Sequence, residues 1–210
     1  MSIYKRILPL LVLLLCMHTG AFSQLSLGAF AGLNSSKFYG DAPDKDKYKS
    51  YMGANAGILI DLKISSSIFL SLQPSYSQEG TRVFYSLSNK EEPIDSIRVR
   101  LNYFSLPLFM KVTSTNQRFY ALTCFEAGFL MDIFLLSGGE KGEINADVSD
   151  INLVIHFGAG RKIPLKVGAL FIELRYTQGL INLTDEPLED SFVPRIKTAG
   201  FKLLFGYQIP

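Results

Sequence analysis

The sequence has no tryptophan, and only two cysteines and two histidines among its 210 residues. Cys16 and His18 fall in an N-terminal segment that reads as a removable leader, so Cys124 and His156 stand alone in the remainder. One thiol excludes an intramolecular disulfide, although export would permit one. One imidazole excludes a multi-histidine metal site, and there is no cysteine-rich site either. The apolar run from Ile7 to Met17 is too short for a transmembrane helix, which needs about 20 residues. Charge imbalance is also missing. Once Lys5 and Arg6 leave with the leader, 19 basic residues face 19 acidic ones, and that balance recruits neither nucleic acid nor an anionic surface.

The leader has the build of a secretory signal peptide: Lys5 and Arg6, the apolar run, then Ala21 and Ser23 as small residues before Gln24. Residues 1–23 are expected to be removed and residues 24–210 to form one domain. Lipidation at Cys16 is excluded by Leu14, Leu15 and Met17 around it.

What the rest holds is period-two alternation. In Leu101–Val112, Phe104, Leu106, Leu108, Met110 and Val112 share one face, and Tyr103, Ser105, Pro107, Phe109 and Lys111 share the other. The same pattern predicts strands near 25–35, 52–63, 68–78, 119–133, 151–160, 170–177 and 197–209. Proline lacks a ladder donor, so Pro74 and Pro107 predict a bulge or bend. In strand 119–133 the alternation assigns Phe119, Ala121, Thr123, Phe125, Ala127, Phe129, Met131 and Ile133 outward. Val83–Tyr85 and Ile97–Val99 read as extensions of one hairpin beyond the other strands.

Eight strands result, joined by four long polar connections and three short ones. That asymmetry fits an all-β, eight-stranded antiparallel up-and-down transmembrane β-barrel, whose short turns face the periplasm and whose long loops face outside. Closure removes the sheet edges. A soluble barrel alternates equally well, but the mixed face collects Gly28, Gly32, Gly53, Gly57, Gly128, Gly158, Gly160, Gly200 and Gly206. Glycine would weaken a solvent face, whereas it fits a narrow lumen filled by side chains. Phe38, Tyr51, Tyr76, Tyr103, Phe119, Tyr120, Phe134, Tyr176 and Tyr207, near strand ends, are read as interfacial girdles. The expected surroundings are outer-membrane lipid.

The chemical search is mostly negative. His156 on an inward face reads as a packed lumen residue and not as a triad base, and Gly158-Ala159-Gly160 belongs to a strand and not to a phosphate loop. No nucleophile and base sit at recognisable spacing, so no enzyme and no cofactor are expected. Glu126, Glu173, Arg175 and Lys202 all fall on the predicted lumen face. They read as an ion-pair network neutralising buried charge, or as a polar pathway through the barrel. Arg175 is expected to pair with Glu126 or Glu173.

Gly28-Ala-Phe-Ala-Gly-Leu-Asn34, Leu101-Asn-Tyr-Phe-Ser-Leu-Pro-Leu108 and Glu173-Leu-Arg-Tyr-Thr-Gln-Gly-Leu180 resemble recurrent motifs of the PorT-like outer-membrane β-barrel family of the Bacteroidetes. The resemblance covers essentially the whole chain after the leader. It implies an OmpA-like eight-stranded barrel in the outer membrane with no shared catalytic residues, and one founding member works in type IX protein secretion and gliding. Two function classes stay open. One is a structural or interaction module whose connections Phe38–Tyr51, Gly80–Ser96, Ser137–Asp150 and Ile181–Pro194 meet protein partners, protein secretion being a special case. The other is a small-solute pore or ligand-binding barrel.

Overall fold

The computed structural model describes residues 24–40, 48–85, 95–137, 140–143, 148–183 and 196–210. The proposed leader, 1–23, lies outside the described residues, as do the central parts of the four long connections. Ten strands appear in chain order: β1 (Leu25–Gly40), β2 (Tyr48–Lys63), β3 (Ile68–Leu72), β4 (Ser75–Tyr85), β5 (Asp95–Thr113), β6 (Phe119–Ser137), β7 (Glu140–Glu143), β8 (Ile151–Pro164), β9 (Ala169–Gly179) and β10 (Ile196–Ile209). All pairings are antiparallel, and β1 pairs with both β2 and β10, so the sheet closes on itself. β3 and β4 are two halves of one stave, and the short β7 only extends the end of β6. The ring therefore has eight staves.

Closure follows from the backbone's need for partners. A stave that meets lipid has no water to satisfy its amide groups, so every ladder must find a neighbour. The short connections 64–67, 114–118 and 165–168 lie at one end with both described termini. Two of them turn through positive φ, at Gln117 and Gly168. The four long connections lie at the other end.

Alternation sorts the side chains as the pattern of β5 predicts. Phe104, Leu106, Leu108, Met110 and Val112 are exposed outward, while Tyr103, Ser105, Phe109 and Lys111 are buried inside. Outward exposure of Ile58, Leu70, Phe125, Leu153, Phe157, Ile172, Leu174, Phe201 and Phe205 continues this apolar band around the ring.

Four expectations are corrected. Pro107 causes no break, since β5 runs through it. The interruption sits opposite, at Gln73–Pro74, where β3 ends and β4 begins, so both prolines share one gap in the ladder and Gln73 N–H donates to the Pro107 carbonyl at 3.1 Å. Ile133 is buried, not outward. Asn102 opposes Asp132 and Tyr103 opposes Leu130, so Met131 is an extra residue, and this bulge flips the facing of the residues that follow it. Tyr51, Tyr103 and Tyr120 are buried inside and Phe38 packs against the interior, so none of them contributes to a girdle. Tyr76, Phe119, Tyr176 and Tyr207 do face outward. The strands also run further than the alternation suggests toward the long-connection end, β1 to Gly40 and β6 to Ser137, and β4 and β5 continue as the hairpin expected there.

Inside, bulky rings lie where the facing residue is glycine. A Cβ on Gly160 would fall within the Tyr120 ring, and one on Gly206 within the Phe171 ring. At these two positions glycine leaves the space that the aromatic neighbour occupies.

Candidate functional site

The interior is polar in two layers with apolar side chains between and above them. In the layer nearer the long connections, Lys202 from β10 reaches across the lumen. Its Nζ lies 3.2 Å from Glu79 Oε1 and 3.7 Å from Glu126 Oε1, and donates to Ser77 Oγ at 3.3 Å. Ser105 Oγ donates to Glu126 Oε1 at 2.9 Å, and His156 Nε2 lies 2.9 Å from Glu126 Oε2. The second layer, nearer the short turns, has two parts. Arg175 Nε pairs with Glu173 Oε1 and its Nη2 donates to Gln73 Oε1 at 2.5 Å, while Tyr120 O–H donates to Glu173 Oε2 at 2.7 Å. Lys111 Nζ lies 3.1 Å from Asp61 Oδ1, Lys162 Nζ lies 3.8 Å from Asp61 Oδ2, and Gln208 Nε2 donates to Asp61 at 3.1 Å.

The four residues singled out by alternation are all buried in the lumen. Glu126 meets Lys202, and Glu173 meets Arg175, so the four form two separate ion pairs, although Arg175 lies opposite Lys202 in the β9–β10 ladder. Arg175 does not pair with Glu126. The residues that alternation left aside are Asp61, Gln73, Glu79, Lys111 and Tyr120. Asp61, Lys111 and Tyr120 lie on faces already assigned inward, and Glu79 lies one residue past the predicted end of its strand.

Electrostatically the set closes on itself. Asp61, Glu79, Glu126 and Glu173 face Lys111, Lys162, Arg175 and Lys202, four charges of each sign. A buried charge is tolerable only when paired and hydrogen-bonded, and each of these carboxylates has at least one cation within 4.0 Å.

Apolar side chains pack beside the polar layers. Phe30, Leu59, Phe171 and Leu204 pack together on one side of the lumen, and Phe109, Tyr120, Leu122 and Cys124 on the other. The Arg175 guanidinium lies 4.1 Å from the centre of the Phe109 ring, joining the charge layer to this plug. Near the long connections, Leu101, Tyr103, Ile133 and Leu183 form a cap, against which Phe38, Val99 and Ile196 pack. Among the described residues no group of three His, Cys, Asp or Glu is placed to hold a metal ion.

A closed antiparallel ring, apolar outside and filled with paired charge inside, defines a transmembrane β-barrel protein. Residues 20–185 match the family described as "Outer membrane protein beta-barrel domain", and the chain belongs to that family. Its place is the outer membrane, in contact with lipid. Among solved structures it is similar to Ail, the attachment invasion locus protein of Yersinia pestis, at 16% identity and a TM-score of 0.44, covering 89% of this chain and 99% of that one. It is also similar to Neisserial surface protein A at 12% identity and a TM-score of 0.45, covering 88% and 96%. A third similar structure is OprG from Pseudomonas aeruginosa, at 13% identity and a TM-score of 0.40, covering 88% and 94%. No curated protein matches the sequence significantly.

Proposed function

We propose that this chain is a non-conducting outer-membrane anchor that presents its long connections to protein partners. The reading includes export through the leader 1–23, a place in the PorT-like branch of these barrels, and work alongside protein secretion. It assigns the chain no catalytic activity.

One observation carries the reading: among the described residues, buried side chains cross the lumen at successive levels. The cap of Leu101, Tyr103, Ile133 and Leu183, the Lys202 layer, the Phe109 plug and the Asp61 layer follow one another along the axis. Eight staves enclose an interior just wide enough for side chains, and here those side chains are tied to one another. A conducting path would require breaking buried ion pairs, each costing about 3–5 kcal/mol when one partner is lost.

Planar-bilayer recording of the purified full-length protein tests this. The expected trace shows no discrete steps above the lipid baseline. Discrete, reproducible steps would favour the small-solute pore. Crosslinking from the long connections in intact cells then addresses partners, and recovery of one reproducible protein only when the barrel is present supports the interaction module.

A further inference from the structure

The lumen neutralises its own charge, but the outer wall does not. In the regular ladder between β4 and β5, Arg82 lies directly opposite Arg98, and Arg100 lies opposite Gly80. Arg100 and Arg98 share the parity of the outward Phe104 on β5, which puts them on the lipid-facing side of the wall, with Arg98 exposed and Arg100 partly buried. On its other edge Arg82 faces Lys49 of β2. Three cations thus sit in one row across three adjacent staves.

Like charges directly opposite one another destabilise a sheet, so the Arg82–Arg98 pair calls for an anion. Among the described residues none of the three arginines makes an ion pair, including with Asp132 on the neighbouring stave. Arg82 Nε and Arg100 Nε are shielded from solvent and have no hydrogen-bond acceptor. A guanidinium N–H left so is a donor awaiting an oxygen. The Arg100 guanidinium lies 4.7 Å from the centre of the Phe134 ring, which holds it flat against the wall.

Height along the barrel supplies the ligand's source. The apolar band on β5 ends at Phe104. Arg100 lies four residues further on, about 13 Å along the strand, and Arg98 lies beyond it. That distance carries the guanidinium groups from acyl chains to headgroups, on the side of the long connections. Arginine forks match phosphate oxygens in pairs.

We propose that Arg82, Arg98 and Arg100 form a binding site for the phosphate groups of an anionic lipid headgroup in the leaflet facing the long connections. The inference rests on the outer-membrane placement, not on whether the lumen conducts.

The test uses full-length protein in dodecyl maltoside micelles, titrated with bisphosphorylated lipid A, with its dephosphorylated form, or with sodium phosphate, while the unfolding temperature is followed. Bisphosphorylated lipid A is expected to raise that temperature, and the other two are not. The double variant Arg82→Gln, Arg98→Gln is expected to need about 30-fold more lipid A for the same rise. Arg82→Lys with Arg98→Lys should retain most of the response. An equal response to the dephosphorylated lipid, or an unaltered response of the glutamine variant, overturns the proposal. An equal response to sodium phosphate overturns the lipid source. If the glutamine variant loses its heat-modifiable band, the comparison of the two lipids on the unaltered protein decides. Loss of that band in the unaltered protein would count against the barrel, and not against this site.

Discussion

Removing the Arg175 side chain probes the tightest part of the interior. Arg175 is 3% exposed, and Arg175→Ala leaves Glu173, itself 1% exposed, with the Tyr120 hydroxyl as its remaining hydrogen-bond partner. It also orphans Gln73 Oε1 and empties the space over Phe109. Losing one partner of a buried ion pair costs about 3–5 kcal/mol, because the charge left behind stays desolvated. For a chain of this size that corresponds to a fall of roughly 10 °C in the unfolding temperature. The assay is the loss of the heat-modifiable gel band with temperature, in one detergent, for the unaltered protein and the variant. Adding Glu173→Gln removes the stranded charge and is expected to restore part of the loss. An unchanged unfolding temperature in Arg175→Ala would refute the network's structural role. So would a double variant less stable than the sum of the single ones.

Lys202→Met leaves Glu79 and Glu126 facing each other without the cation they share, and is expected to destabilise the barrel by about 3–5 kcal/mol in the same melting assay. Gly160→Val places a branched side chain where the Tyr120 ring lies and pushes the hydroxyl off Glu173. The expected loss is about 1–3 kcal/mol, read in the same assay. Leu108→Arg puts a charge in the middle of the outward apolar band and is expected to cost about 2–4 kcal/mol of folding stability in lipid vesicles. A soluble barrel with the same face in water would tolerate it.

The facing of most staves was legible because period two has no rival reading in a strand, and lipid outside with a packed lumen inside leaves each residue one place to go. β5 is the clearest case, alternating from Tyr103 to Val112 without a slip. Met131 shows where that reading stops. No residue type marks the bulge, and one extra residue sends Ile133 inward. Part of the aromatic girdle failed for a related reason: Tyr103 and Tyr120 lie near strand ends, but their parity is inward, and parity decided. In the lumen, Asp61 and Lys111 were already on inward faces. Their pairing could not be seen because it depends on the stagger between staves, which brings residues 50 positions apart to one level. Glu79 was missed because its strand was ended at Gln78. The arginine row was hidden the same way, since Arg82 and Arg98 become neighbours only through the β4–β5 register.

The absence of tryptophan allows the central claim to be measured with a single reporter. Leu108 and Phe109 are sequence neighbours on opposite sides of the wall, the first exposed outward and the second fully buried in the lumen. Leu108→Trp and Phe109→Trp, each reconstituted in vesicles whose acyl chains carry bromine, should differ sharply in fluorescence. The account predicts strong quenching at position 108 and little at position 109. Equal quenching at both, or the reverse order, would contradict a lipid-facing exterior around a sealed interior.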